Sequence, residues 1–522
     1  MTHAETDDRA ARAEKWLRVL VISASIFVMV LFVVTALERM RYPYELEQLE
    51  GSMFLSALRV FHGQALYPRP SLAFIPYMYP PVYYYVCAAA GHVMGMSIAT
   101  LRAVSSLSTL GCFVMIYALV RKEVQQHLPA IAAAGLYAGC YTLCDGWFDL
   151  GRLDSLFILT VLLAMYATRW WHPVIAALLW TLAFQTKQSI LPAAFVMLSF
   201  DFGMHRRRLQ RTLTGVLVLA LGAAGTVLWL NHATGGWYSF YVFTVPAANT
   251  DLLLRRLIMF WPIDMLRPFA LPLILILAAV VITRPSLHSR RARFYLAACS
   301  LVPLYWWVRM HDGSSANALM PVDMLLAILF GLALARLLEW LAKIAPSTPN
   351  EDRLAHMASL LVLLAALAQL TARFYNPHDD RPIAAQRQAM DAVISAIRAV
   401  PGEVYVGQHP YYSWLAGKPT QADLVSIHDA MSPNSTAHDE LQQSMRDALA
   451  QHRFAAILLD QPGSSALLDH IDGDSGWRGY YNQQDYLMPD DLSTRPDWIL
   501  LHAPVSTPAS SVFATPSEPQ GR

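Results

Sequence analysis

Three carboxylates stand close together early in the chain, in Tyr42-Pro43-Tyr44-Glu45-Leu46-Glu47-Gln48-Leu49-Glu50-Gly51. They follow a long apolar run, so they sit just above a membrane, where charge is costly unless it is solvated or used. Glu47 and Glu50 are three apart. On a helix they would share a face and raise one another's pKa, as a general base requires. The same spacing suits a plain solvated helix start, where acids complement the dipole. Arg152 and Asp154 are two apart, off a common helical face but able to pair at a loop end. Lys187 interrupts an apolar stretch. A lysine at that depth marks function by default, although one that snorkels from a hairpin tip gives the same pattern. Arg309, His311 and Asp312 form a further cluster that suits phosphate, a metal ion or simply a wet loop. Trp237 and Asn249 are sugar-contact candidates by position alone.

The elements that must hold these residues follow from composition. Of 522 residues, 55% are apolar and 15% charged, against about 25% charged in soluble proteins. With a mean hydropathy of +0.34, an ordinary cytosolic enzyme is excluded. The composition shifts once, near residue 373. Residues 1–372 hold 29 Lys+Arg and 20 Asp+Glu, and residues 373–522 hold 10 and 18, so the net charge of +1 conceals a basic and an acidic part. No basic stretch interleaved with aromatics points to nucleic acid. Cys87, Cys112, Cys140, Cys144 and Cys299 all lie in apolar surroundings, without the company of a metal site or a disulfide framework.

The first apolar run, 19–37, can make about 28 Å of helix and is preceded by Arg9, Arg12, Lys15 and Arg18. It is too long for a signal peptide and lacks a cleavage site, which predicts a retained first span. Further spans are expected near 102–120, 129–147, 155–169, 173–185, 190–201, 212–230, 269–283, 294–308, 318–338 and 356–372, eleven in all. The apolar segment 82–97 is expected to lie in the interface or re-enter. With it so placed, the inside loops carry 18 Lys+Arg and the longer outside loops 10. Made a span, it would turn Arg206-Arg207-Arg208 and Arg290-Arg291 outward, against the positive-inside rule. The N-terminus is therefore expected in the cytoplasm and the C-terminal part outside. Outward regions then comprise a first loop at 38–101, a loop at 231–268 and the tail.

The first loop continues with an amphipathic helix from Ser52 to Phe61, with Phe54, Leu58 and Phe61 on one stripe and Gly63 as its stop. A first outer loop with acids, then Glu50-Gly51-(x)5-Ala57-Leu58-Arg59-(x)3-Gly63-(x)3-Tyr67, then Tyr79-Pro80-Pro81, resembles the polytopic GT-C glycosyltransferases. Bacterial members akin to the protein O-mannosyltransferases of glycosyltransferase family 39 and to lipid A aminoarabinose transferase are the most similar. Gly151-Arg152-Leu153-Asp154-Ser155 resembles the superfamily's second outer loop, where another acid points at the active site. Thr186-Lys187-Gln188 matches its Thr-Lys-Gly/Gln hairpin, and Gly313-Ser314-Ser315-Ala316-Asn317 a late loop with a Gly and an Asn. The likeness covers roughly residues 15–340, in order. It departs at one position, because Leu49-Glu50 stands where many members have Asp-Glu, which leaves the base to Glu50 or Glu47.

The resemblance implies an all-α polytopic membrane protein of GT-C type, with a soluble α/β domain at its C-terminus, in the inner membrane of a bacterium. It implies transfer of a sugar, hexosyl or pentosyl, from a polyprenyl-phosphate carrier to an acceptor of the cell envelope at the outer membrane face. Glu50, Glu47 and Asp154 are then the catalytic candidates, and Lys187, Arg152, Arg309, Asn317 and Tyr79 the substrate-binding ones. A carboxylate takes the proton of the acceptor hydroxyl. Lys187, Arg309 or a divalent metal ion held by the acids offsets the charge growing on the leaving phosphate. The Tyr83-Tyr84-Tyr85 helix is expected to line a groove for the lipid tail. Rival readings are a flippase of lipid-linked sugars, which should show related halves or broken helices in matching positions, and a surface-glycan polymerase or ligase.

Within the tail, helices are expected at 382–400 and 436–452, and strands at 403–407, 454–460 and 498–502. This is a small α/β domain over 373–503, before a Pro/Ser/Thr-rich disordered end at 504–522. It has no phosphate loop, nucleophile elbow or cysteine, so acceptor binding or a lid suits it better than chemistry.

Overall fold

The computed structural model describes residues 3–203, 206–248, 252–311, 313–344, 349–431, 437–459, 481–487 and 498–504. Asn249, Asp312, Asp460 and residues 505–522, with the disordered end expected there, lie outside the described residues. The order runs α1 (His3–Met40), α2 (Glu50–Phe61), α3 (Val82–Met94), α4 (Ile98–Val124), α5 (His127–Gly139), α6 (Asp154–Trp170), α7 (Pro173–Phe184), α8 (Leu191–Leu198) and α9 (Arg206–Ala233). Short helices α10 (Trp237–Ser239), α11 (Val245–Ala248) and α12 (Leu254–Met259) lead into α13 (Arg267–Thr283), α14 (Arg290–Ala298), α15 (Leu301–Met310), α16 (Met320–Ile344) and α17 (Pro349–Thr371).

Apolar runs become helices here because backbone N–H and C=O groups in lipid must pair within their own segment. Among the described residues six stretches are long and apolar enough to cross a bilayer, 11–40, 98–124, 206–233, 254–283, 316–344 and 353–371. The chain is thus a multi-pass membrane protein. α16 runs through the middle of the bundle, with 94% of its apolar window buried. It meets α5 at Gly331, where a Cβ would lie 2.7 Å from the Pro129 carbonyl oxygen, a small-residue approach common between membrane helices.

All eleven expected spans fall on helices, with two differences. In the 129–147 run the α-helix ends at Gly139, and a 3-10 turn at Thr142–Cys144 followed by positive φ at Asp145 and Gly146 carries the rest of the run into a loop. The 294–308 run is two helices, α14 and α15, since Pro303 cannot donate to the Cys299 carbonyl and its ring clashes with it. Segment 82–97 forms a helix of 13 residues, about 20 Å and short of the bilayer core. It lies against the first-loop helix, with Phe61 stacked on His92 at 4.4 Å.

After α17 come α18 (Ala384–Ala399), β1 (Glu403–Val406), α19 (Pro410–Leu415), α20 (Leu424–Ala430), α21 (His438–Ala450), β2 (Phe454–Leu459), β3 (Tyr481–Leu487) and β4 (Trp498–Pro504). The sheet order is β1-β2-β4-β3, with β1 and β2 parallel and the other pairs antiparallel. The sequence reading missed β3, α19 and α20. β3 is a polar strand with no apolar alternation, and the other two are too short to show a helical period.

This α/β part seats on the first loop. Ser52 donates to Asp423 at 3.0 Å, Ala422 N–H to the Leu72 carbonyl at 2.7 Å, and Phe54 packs edge-on against Tyr411 and Trp414. A Cβ on Gly51 would strike Tyr411 Cβ at 2.6 Å, so the helix can approach only with glycine there. Burial pushes Asp423 from 3.8 up to about 7, against the pull of the Val425 and Ser426 N–H groups, the Ser52 hydroxyl and His409. A carboxyl raised on folding contributes stability that is complete below its unfolded value and is lost as pH rises through about 7. Limited proteolysis of the α/β part is expected to be faster at pH 8 than at pH 6, and Asp423→Asn should abolish the difference.

Candidate functional site

The helix that carries the first-loop acids starts at Glu50, with Leu49 as its N-cap, so Glu47 lies ahead of it. Glu47 and Glu50 therefore do not share a helical face, and each has its own arginine. Glu50 is fully buried. It takes two bonds from Arg102, Nε to Oε1 at 2.9 Å and Nη2 to Oε2 at 2.6 Å, with Gly151 N–H at 2.6 Å and Leu46 N–H at 2.7 Å. Burial opposes its charge, yet Arg102 and the two N–H groups outweigh it and hold the carboxyl below its ordinary value. Both carboxylate oxygens thus take two donors each.

Glu47 keeps 15% exposure and is bound by Arg152 Nη1 to Oε2 at 2.8 Å. Burial raises its pKa, with Arg152 pulling the other way. Arg152 is itself buried and lies 4.5 Å over the Trp147 ring. It turns to Glu47, so the pairing with Asp154 that their spacing allowed is not the one formed.

Asp154 opens α6, where the helix dipole favours an anion. Its Oδ1 accepts from Lys187 Nζ at 2.7 Å and from Asn317 Nδ2 at 3.2 Å, and its buried Oδ2 has no hydrogen-bond partner among the described residues. Lys187 is the extended residue between α7 and the turn Gln188–Ile190. It reaches inward to Asp154 instead of snorkelling and retains 12% exposure. Gln188 fixes the hairpin by donating to the Met78 and Val242 carbonyls, both at 3.1 Å. Asn317 comes from the 3-10 turn Ala316–Leu319 at the head of α16. The run ahead of α6, the hairpin after α7, the turn ahead of α16 and the first loop thus converge on two ion pairs, Glu47–Arg152 and Asp154–Lys187, joined through the short run 152–154.

Tyr79 borders this centre, its carbonyl accepting from Tyr67 at 2.8 Å and its ring stacked on Tyr77. Arg309 is apart from it. Its Nε faces Asp264 at 3.4 Å and its Nη1 donates to the Ser314 carbonyl at 3.0 Å, so it braces the loop leading to Asn317. Tyr83 and Tyr84 are fully buried, with only Tyr85 of the three turned outward, so they are core residues and line no open groove. Trp237 packs on Phe240 and Tyr241. His311 bonds the Trp307 carbonyl. Among the described residues no group of three His, Cys, Asp or Glu is placed to hold a metal ion. Arg102 was missed; an arginine at the head of an apolar run was the available signal.

Residues 78–230 match the family model of dolichyl-phosphate-mannose-protein mannosyltransferases. The whole chain is similar to ArnT from Cupriavidus metallidurans bound to undecaprenyl phosphate, with a TM-score of 0.56 and 14% identity over 93% of this chain and 98% of that one. The chain has the GT-C fold. Within that fold it is also similar to the Archaeoglobus fulgidus oligosaccharyltransferase tethered with an acceptor peptide, at TM-score 0.51 and 14% identity over 91% and 73% of the two chains. AglB of the same organism, in complex with an inhibitory peptide and a dolichol-phosphate, gives 0.51 and 12% over 95% and 77%. No curated protein sequence matches. At these identities the GT-C likeness concerns the fold, and the residues of the site speak for themselves.

Proposed function

We propose that this protein transfers a sugar from a polyprenyl-phosphate carrier to a cell-envelope acceptor at the outer face of the membrane, with Glu47 as general base. The observation that carries this is the contrast between the two first-loop acids. Glu50 is saturated by four donors, whereas Glu47 has one arginine, a raised pKa and an exposed edge. A base needs that combination. Lys187 is partly open, spends one of its three N–H bonds on Asp154 and offers the others to the leaving phosphate. Asp154 and Asn317 position it. ArnT bound to undecaprenyl phosphate and AglB with dolichol-phosphate support a polyprenyl carrier, as does the mannosyltransferase family match. The α/β part, seated over the first loop, binds the acceptor or closes the site. The excess of Lys and Arg in the loops read as inside supports an N-terminus in the cytoplasm and an α/β part outside the inner membrane.

The test is transfer in proteoliposomes from a panel of labelled polyprenyl-phosphate monosaccharides and one lipid-linked oligosaccharide. Consumption of a monosaccharide donor with release of polyprenyl phosphate is expected. Labelled lipid that changes leaflet without donor loss would establish a flippase instead, and consumption of the oligosaccharide alone a polymerase, ligase or oligosaccharyltransferase. Lys187→Met is expected to lower the initial rate roughly 100-fold, with Lys187→Arg retaining most of it.

A further inference from the structure

At the end of the bundle opposite the site, a cavity of about 900 Å³ opens between α13, α14 and α16. Its walls are apolar, including Ile276, Val280, Leu296 and Leu329, and its mouth carries Arg284, Arg291, Arg336 and Lys343 against one acid, Glu339. Arg336 pairs with Glu339 at 3.2 Å, and Arg291 faces Glu123 at 3.5 Å. Arg284 and Lys343 have no ion-pair partner among the described residues and lie free at the rim. Trp340 stands beside them, half-exposed, as tryptophans do at a membrane interface.

We propose that this groove is a binding site for an anionic glycerophospholipid, its acyl chains along α13 and α16 and its phosphate at the basic mouth. Charge and length both argue for that occupant. From Leu329 to Lys343 the groove follows α16 for about 21 Å, which covers one leaflet of about 15 Å and reaches the headgroup level. A wholly apolar tail would leave the excess of cations unanswered, and a free anion would leave the apolar walls unfilled. Basic pockets between membrane helices hold anionic lipid headgroups by this chemistry. The site is independent of the transferase reading, because its basic mouth at Lys343 lies about 35 Å along α16 from Met320, at the end of that helix away from the Asn317 turn.

The test is native mass spectrometry of the delipidated full-length protein titrated with dioleoyl phosphatidylglycerol or dioleoyl phosphatidylcholine. The anionic lipid is expected to bind at least tenfold more tightly. The double variant Arg284→Ala/Lys343→Ala should lose roughly tenfold to thirtyfold in its affinity. These two side chains are exposed, so folding is not at risk. Arg206→Ala/Arg207→Ala, in the neighbouring basic cluster, serves as the control and should leave the tight site intact. Equal affinity for the two lipids, an unaltered affinity in the groove variant, or an equal loss in the control would overturn the proposal.

Discussion

Glu47→Gln is expected to lower turnover roughly 1000-fold while donor binding is retained. The amide keeps a carbonyl for Arg152 and nearly the same volume, so what is lost is the ability to take a proton. The wild-type rate should follow the raised pKa of this carboxyl. Protonated, Glu47 cannot act, so the rate rises with pH through that value and levels off above it. Arg152 is the group that restrains the shift. Arg152→Gln should therefore move the acid limb of the kcat/KM profile to higher pH and leave its shape unchanged. Measuring both profiles separates a base from a residue that only shapes the loop. Should Glu47→Gln keep full turnover while Asp154→Asn loses it, the base is Asp154, whose second oxygen is buried without a partner.

The second large effect concerns stability. Arg102→Met is expected to destabilise the protein by about 3–5 kcal/mol, because it leaves Glu50 as a buried charge with only two N–H donors. Arg102 also gathers the start of the first loop, donating to the carbonyls of Arg39 at 3.0 Å and of Tyr42 and Tyr44, both at 2.6 Å. The double variant Arg102→Met/Glu50→Met should recover part of the loss, since it removes both charges together. Thermal unfolding in detergent reads this out. Glu50→Gln is expected to lower the unfolding temperature and the amount of folded protein, with the turnover of the folded fraction less affected than in Glu47→Gln. A Glu50→Gln protein of normal stability and no turnover would return the base to Glu50.

The two variants pull apart roles that the first loop combines in four residues. Glu50 ties the loop to α4 and to the 151–154 run, and in doing so places Arg152 and Asp154 within reach of Glu47 and Lys187. The buried pair is costly to break and the partly open one is freer to exchange partners, which is what the proposed role of Glu47 as base requires.

Much of this was legible from the order of residue types. Runs of apolar residues long enough for a bilayer have one backbone solution in lipid, so the helices and their approximate limits follow from hydropathy alone. Acids ahead of Gly51, the Asp154 position, Lys187 in an apolar hairpin and Asn317 after a glycine-bearing loop stand out as candidates from the chemistry their depth demands, and the fold brings Glu47, Arg152, Asp154, Lys187 and Asn317 together. Partner choice was not readable. Whether Arg152 turns to Glu47 or to Asp154 depends on where α2 begins, and its start at Glu50 leaves Glu47 in the loop ahead of the helix, beside Arg152. Arg102 lies 52 residues from Glu50 in sequence, and no local pattern links them. Only packing α4 against the first loop brings the guanidinium to Glu50 and thereby decides that Glu50 is fully buried and paired while Glu47 keeps an exposed edge.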